Sequence, residues 1–297
     1  MAIVATARWI TEDQLQPALD LFNEWGLQVV TGKNLHTKNF QLAGSDLERA
    51  IDLQEMLDNP EIRAIVIARG GYGTIRMLDQ LDFSGFMKSP KWICGYSDIT
   101  VLHAKLAQLN VASIHSTMPI SFPDATSKAL QNLKESLFGT LGEISFSSDF
   151  NSAEQVKIQA PVRGGNLSVL YSLLGSEELK TITDYVLFVE DVDEMLYHID
   201  RMFMGLKRSG FFHKVKAICV GGFTQMKDNT DQYGFSVQNP WGHSAEETVM
   251  RFAKELAIPV FFGFPAGHMS DNRAFYFGIP TTLEMSSGLA VMKFQHK

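Results

Sequence analysis

A serine hydroxyl attacks a carbonyl at neutral pH only when a base takes its proton, and the base usually needs an acceptor to orient it. In the stretch KWICGYSDITVLHAKLAQLN (91–110) Ser97 stands between a strand-like run and a helix-like run. Two readings fit it. As a helix cap, it precedes Ile99, Leu102, Leu106 and Leu109 at helical spacing. As a nucleophile elbow, it sits on a tight strand-to-helix turn that displays the hydroxyl above a sheet, with Gly95 giving the close packing such a turn needs. Ile99 occupies the place where a second glycine is usual, so GYSDI is a partial elbow. Amides at a helix N-terminus could also steady an oxyanion.

Among eight histidines, His103 and His198 fall within predicted helices. His115 ends a strand of the same sheet as Ser97 and competes for the role of base. His268 lies in GFPAGHMSDNR (263–273), a glycine- and polar-rich loop after the strand IPVFF, where a merely solvated histidine is the plain alternative. The best carboxylate is Glu190, which closes the apolar strand DYVLFVE (184–190), because parallel sheets form their clefts at strand C-terminal ends. The rival explanation of EDVDE is a set of acids at the N-terminus of the helix carrying Met195, Ile199, Met202 and Leu206. That accounts for Asp191, Asp193 and Glu194 better than for Glu190. No histidine or cysteine stands at ligand spacing around the cluster, so no metal is expected.

Two glycine-rich stretches follow strands. In AIVIARGGYGTIRML (64–78) the glycines let the backbone approach a ligand and aim amides at an anion: a phosphate, a substrate carboxylate or a tetrahedral oxyanion. A tight turn without ligand is the alternative. Neither the dinucleotide nor the P-loop pattern is present, and no cofactor is expected. RGGNLSVL (163–170) repeats the theme, with Asn166 as cap or substrate contact.

The elements that must hold these residues alternate along the first half. Strands are predicted at AIVAT (2–6), LQVVTG (27–32), AIVIA (64–68), WICGY (92–96) and VASIH (111–115). Helices follow capping boxes at Thr11/Gln14 and Ser45/Glu48, with further helices near 72–81 and 98–109. Such alternation implies a parallel sheet covered on both faces. The serine-rich run SFSSDFNSAEQ (145–155) marks a linker. Beyond it, strands DYVLFVE, KAICVGGF, IPVFFGF, TTLEM and LAVMKF mix with helices near 165–175, 193–208 and 244–256. The expected architecture is α/β: a parallel-sheet domain over 1–145 with helices on both faces, a linker over 146–155, and a mixed α/β domain over 156–297.

At 297 residues there is room for two domains with ample cores. A hydrophobic content of 45% and a formal charge of -7 fit a globular protein and give no general reason to bind nucleic acid or an anionic membrane. Cys94 and Cys219 lie in apolar runs and read as reduced core thiols. The N-terminus lacks a signal-peptide pattern, and no run approaches the roughly 18 apolar residues of a membrane span. A cytoplasmic protein is expected.

Taken together and in order, ARGGYG, CGYSDIT, RGGNLSVL, LFVEDVDE and PAGHMSDNR resemble the LD-carboxypeptidase family of serine peptidases, over about residues 40–280. The resemblance implies Ser97 as nucleophile, Glu190 as orienting acid and His268 as general base, with the amides of Gly71 and Asp98 as oxyanion donors. It also implies an active site in a cleft between the two domains, a homodimer, and cleavage between the L-centre of a diamino acid and a terminal D-alanine in muropeptides. An exopeptidase should also recognise the free carboxylate, and Arg69 or Arg163 is a candidate for that contact. Departures from the family pattern are VATARW, which lacks a proline-serine after the first strand, HSTMP, and FYFGIP after His268. Microcin-immunity relatives place a tryptophan where this chain has Leu174, which favours the peptidoglycan reading. A non-catalytic protein binding anions through RGGYG and RGGNL is the rival of a different class.

Overall fold

In the computed structural model the chain is described over residues 1–148, 156–180, 183–228 and 240–295. It divides into two compact units, the first comprising Met1–Leu141 and Ser270–Gly278, the second Gly142–Met269 and Ile279–Lys297.

The apolar runs of the first unit form parallel strands β1 (Ala2–Val4), β2 (Val30–Thr31), β3 (Ala64–Ile67), β4 (Trp92–Gly95) and β5 (Ser113–His115). Their order is β2-β1-β3-β4-β5, and Phe275–Phe277 adds antiparallel to β5. β1, β3 and β5 are buried at every position, as a sheet covered on both faces requires. Six helices serve this unit: α1 (Glu12–Glu24), α2 (Asp46–Asp58), α3 (Thr74–Met77), α4 (Ser84–Lys88), α5 (Thr100–Gln108) and α6 (Ser127–Leu137). Both expected capping boxes are present, at Thr11/Gln14 and Ser45/Glu48. The direction of winding reverses at β1, and the right-handed crossover rule for parallel sheets then assigns α1 to one face and α2, α3 and α5 to the other. α2 accordingly packs on β1, α3 and α4. The carboxyl ends of β1 and β3 flank that reversal, the place where open α/β sheets form ligand crevices.

The second unit holds two sheets. β6 (Glu143–Ser147) and β7 (Val156–Gln159) are the outer strands of an antiparallel sheet. β8 (Val162–Asn166), β9 (Tyr185–Val192), β10 (Val215–Thr224) and β11 (Val260–Phe261) are parallel, in the order β11-β10-β9-β8. The returning strand Phe275–Phe277 is β12, and β13 (Thr281–Ser286) with β14 (Leu289–Phe294) completes the antiparallel sheet. Helices α7 (Leu167–Ser172), α8 (Leu196–Arg208) and α9 (Ala245–Leu256) are laid against the parallel sheet, where Leu187, Val189, Phe203 and Phe252 are buried together.

The unit boundaries differ from the sequence reading in two places. The first segment ends at Leu141 and not at 145, because Glu143–Ser147 pairs with β14. Ile144 and Phe146 are buried there while their neighbours are exposed, a period of two that the surrounding serines disguise. Residues 149–155 of the expected linker lie outside the described residues. The stretch 156–297 is also not continuous as a unit. Ser270–Gly278 goes back to the first, where Phe275, Tyr276 and Phe277 pair with His115, Ile114 and Ser113.

Candidate active site

Ser97 follows β4 with φ +64°, a left-handed backbone that a non-glycine residue adopts only at some cost. It opens a 3₁₀ turn, Ser97–Ile99, before α5 begins at Thr100, and no side-chain cap bond forms at either helix start. The turn therefore has the strained strand-to-helix backbone that a nucleophile elbow calls for, and lacks the side-chain bond of a serine-capped helix. Gly95 explains why isoleucine is tolerated at position 99: a Cβ on Gly95 would lie 2.9 Å from Ile99 Cγ1, so the bare backbone makes room for that side chain. His103 pins the same turn from α5. Its Nε2 bonds the Gly95 carbonyl at 2.9 Å and its Nδ1 the Ser113 hydroxyl at 2.8 Å. Burial pushes His103 down to about 4, against the opposing Gly95 bond, so it is neutral in the working range.

The glycine stretch after β3 lies directly on the serine. A Cβ on Gly70 would stand 3.2 Å from Ser97 Cβ and 3.3 Å from its Oγ. Gly71 has φ +120°, and a Cβ there would meet the Arg8 side chain at 2.8 Å. Asp98 ties this loop to the elbow. Its Oδ2 accepts the Thr74 amide at 2.9 Å and the Thr74 hydroxyl at 2.7 Å, and Thr74 Oγ1 lies 2.8 Å from Thr6 Oγ1. Burial raises the Asp98 carboxyl above its usual range, with the Thr74 bonds opposing. Two segments distant in sequence are thus held at one spot by a single buried carboxylate.

In the second unit Glu190, fully buried near the C-terminal end of β9, accepts His268 Nδ1 at 2.6 Å and the His268 amide at 3.2 Å through one oxygen. Its other oxygen, Oε1, is buried without a hydrogen-bond partner among the described residues. With Nδ1–H given to Glu190, Nε2 is the ring nitrogen able to take a proton. Burial lowers the His268 pKa, but the charge and hydrogen bond of Glu190, aided by the charge of Asp191, outweigh it and leave the pKa raised. Gly267 permits this approach: with φ +116°, it would carry a Cβ 2.9 Å from Glu190 Cβ and 3.0 Å from Oε2. The Gly222 amide fixes the loop from β10 by donating to the Ala266 carbonyl at 3.0 Å, and Thr224 Oγ1 donates to the His268 carbonyl at 3.0 Å.

Asn166 pairs in register with Glu190 across β8 and β9 and caps α7. Its Oδ1 accepts the Val169 amide at 3.1 Å and the Ser168 hydroxyl at 2.9 Å, while Nδ2 donates to Asp191 Oδ1 at 2.8 Å. Asp191 also takes the Ser168 amide at 2.9 Å. Burial first, and then Glu190, push the Asp191 carboxyl up to about 7. Gly164 serves strand pairing, since a Cβ on it would strike the Phe188 main chain. The RGGN stretch therefore builds the sheet beside Glu190.

The remaining candidates separate clearly. His115 is buried, bonds Asn272 Oδ1 through Nε2 at 3.1 Å, and stacks on Phe275. Arg69 is partly buried and donates from Nη1 to the Trp9 carbonyl at 3.2 Å. Arg163 sits on β8 with Nη2 3.5 Å from Thr183 Oγ1. Both cysteines are buried and unpaired to each other, and burial pushes both thiols up. Among the described residues no group of three or more metal-ligating side chains occurs, and no helix is long and apolar enough to cross a membrane. Sequence reading passed over Arg8, Thr74, Asp98 as a carboxylate, and Asp191 as the partner of Asn166.

Residues 1–116 match the family described as the LD-carboxypeptidase N-terminal domain and residues 159–283 its C-terminal domain. A probable murein peptide carboxypeptidase of Bacillus subtilis is 31% identical, over 99% of this chain and 91% of that protein. The murein tetrapeptide carboxypeptidase of Pseudomonas aeruginosa is 28% identical over 96% and 92%. The microcin C7 self-immunity protein of Escherichia coli is 26% identical over 88% and 83%. Among solved structures, the muramoyltetrapeptide carboxypeptidase of Oxalobacter formigenes superposes with a TM-score of 0.86 at 28% identity, over 100% of this chain and 99% of the other. With both halves of the family pattern matched in order, and an α/β fold shared along the full length, the chain belongs to the LD-carboxypeptidase family.

Proposed function

We propose that the protein is a serine-type LD-carboxypeptidase that releases a terminal D-alanine from muropeptides by cutting its amide bond to the L-centre of a diamino acid. Ser97 Oγ adds to the scissile carbonyl carbon as His268 Nε2 takes its proton, and Glu190 steadies the imidazolium. The amides of Gly71 and Asp98 receive the oxyanion. Collapse breaks the C–N bond, His268 returns the proton to the departing amine, and D-alanine leaves. Water then attacks the acyl ester with His268 again as base, and the serine is restored. Nucleophile and proton carriers are all side chains, so the route calls for neither metal nor cofactor. The reading places the enzyme in the cytoplasm, acting in peptidoglycan recycling as a homodimer.

The observation that carries this reading is the 2.6 Å bond from His268 Nδ1 to the buried Glu190, which holds a histidine in the tautomer of a base. The names of the Bacillus and Pseudomonas relatives support the substrate class. Incubation with a muropeptide panel and mass analysis of the products tests it: loss of one D-alanine is expected from the wild type and none from Ser97→Ala. Undiminished release by Ser97→Ala would defeat the nucleophile assignment. Cleavage of a peptidyl-nucleotide amide in place of muropeptides would assign the chain the activity of the microcin-immunity branch, against which Leu174 speaks.

A further inference from the structure

Arg8 and Arg69 lie in the loops that follow the adjacent parallel strands β1 and β3, at the point where the strand order reverses. Val4 and Ile67 are register partners, and the Ala68 amide donates to the Val4 carbonyl at 2.8 Å, so the two strand ends leave the sheet together. The Arg8 amide then reaches the Gly70 carbonyl at 3.4 Å, and the Arg8 side chain lies along Gly71, with Cγ, Cδ and Nε each 2.8 Å from where a Cβ would stand. Neither guanidinium has a carboxylate partner among the described residues, whereas Arg49 and Arg76 both reach Asp46. Burial, and after it the charge of Arg8, lowers the Arg69 pKa, the mark of a desolvated cation beside a like charge. In a chain of net charge -7 acidic partners are plentiful, yet these two cations have none among the described residues.

Position relative to the nucleophile narrows the anion. Gly70 abuts Ser97, and Gly71, under Arg8, is the next residue, about 3.8 Å along the chain. In a peptide with a free C-terminal residue the carboxylate carbon lies three bonds beyond the scissile carbonyl carbon, about 3–4 Å away by standard bond lengths. We propose that Arg8 and Arg69 form the subsite for the free α-carboxylate of the leaving amino acid, with Arg8 the specificity-determining residue. This rests on the carboxypeptidase reading above. Paired guanidiniums suit a planar carboxylate, which each can grip through two N–H groups.

The test compares a muropeptide ending in D-alanine with the same peptide ending in D-alaninamide, using wild type, Arg8→Ala, Arg69→Ala and Arg8→Lys. Wild type is expected to favour the acid strongly. Each alanine variant is expected to lose about ten- to hundredfold in kcat/KM on the acid, mainly through KM, and to shrink the acid-to-amide ratio by a similar factor, with Arg8→Lys intermediate. Equal losses on both substrates, or an unmoved ratio, would overturn the subsite while leaving the carboxypeptidase reading intact. Failure of the wild type on the peptide ending in D-alanine would overturn both.

Discussion

Ser97 carries a conformational load, and the proposed function gives it a chemical one. Its φ of +64° is a geometry that glycine adopts freely, and an L-residue there gives up about 1–2 kcal/mol. Ser97→Gly should therefore raise the unfolding midpoint by a few degrees in a thermal scan while abolishing activity; a lowered midpoint would show that the turn is not strained. His268 makes a pH statement. A base must be neutral to accept a proton, and its pKa is raised above 6.5, so the acid limb of the kcat/KM profile should lie above the ordinary histidine value. Glu190→Gln should move that limb towards acid and reduce kcat by about 10²- to 10⁴-fold. The same pair links to stability. A raised folded pKa gives stabilisation that is complete below the unfolded value of 6.5 and disappears as pH climbs through the folded one. Glu190→Gln should then lower the melting temperature more at pH 6 than at pH 9.

At the scale of elements, Ser97 follows β4, Glu190 lies near the C-terminal end of β9 and His268 stands in the loop beyond β11, and glycines decide how close the loops come. Gly267→Ala illustrates this, because its Cβ would fall 2.9 Å from Glu190 Cβ and the residue would retain φ +116°. Such a change should displace the histidine and cut kcat at least tenfold, with little change in circular dichroism; an unaffected kcat would mean the loop does not set the His268–Glu190 bond. Strand ends and loop composition are local signals, which is why Ser97, Glu190 and His268 were legible as candidates from sequence. Asp98 shows what was not. Its bonds to Thr74 join residues 24 apart, and no pattern of spacing announces a pairing made by folding. The bond from Asn166 to Asp191 was hidden for the same reason. The edges were harder still: β6 hides a two-residue period under serines, and β12 is three buried residues that pair with a strand about 160 positions earlier.

Across the whole molecule, the parallel sheet of the first unit was readable because buried strands and capped helices alternate along one continuous segment. The antiparallel sheet of the second unit was only half visible, since β13 and β14 are strong patterns and β6 and β7 are weak ones. Family membership supplies the fold and its two halves. Ser97 belongs to the first unit and Glu190 and His268 to the second, and the proposed function asks the three to act together. Neither unit alone contains the complete set. Covalent trapping reads that cooperation directly. With a serine-directed phosphonate and peptide mass mapping, the wild type is expected to be labelled at Ser97, and His268→Ala to be labelled at least about 1000-fold more slowly. Labelling of Ser97 at an equal rate without His268, or no label on Ser97 in the wild type, would contradict the account.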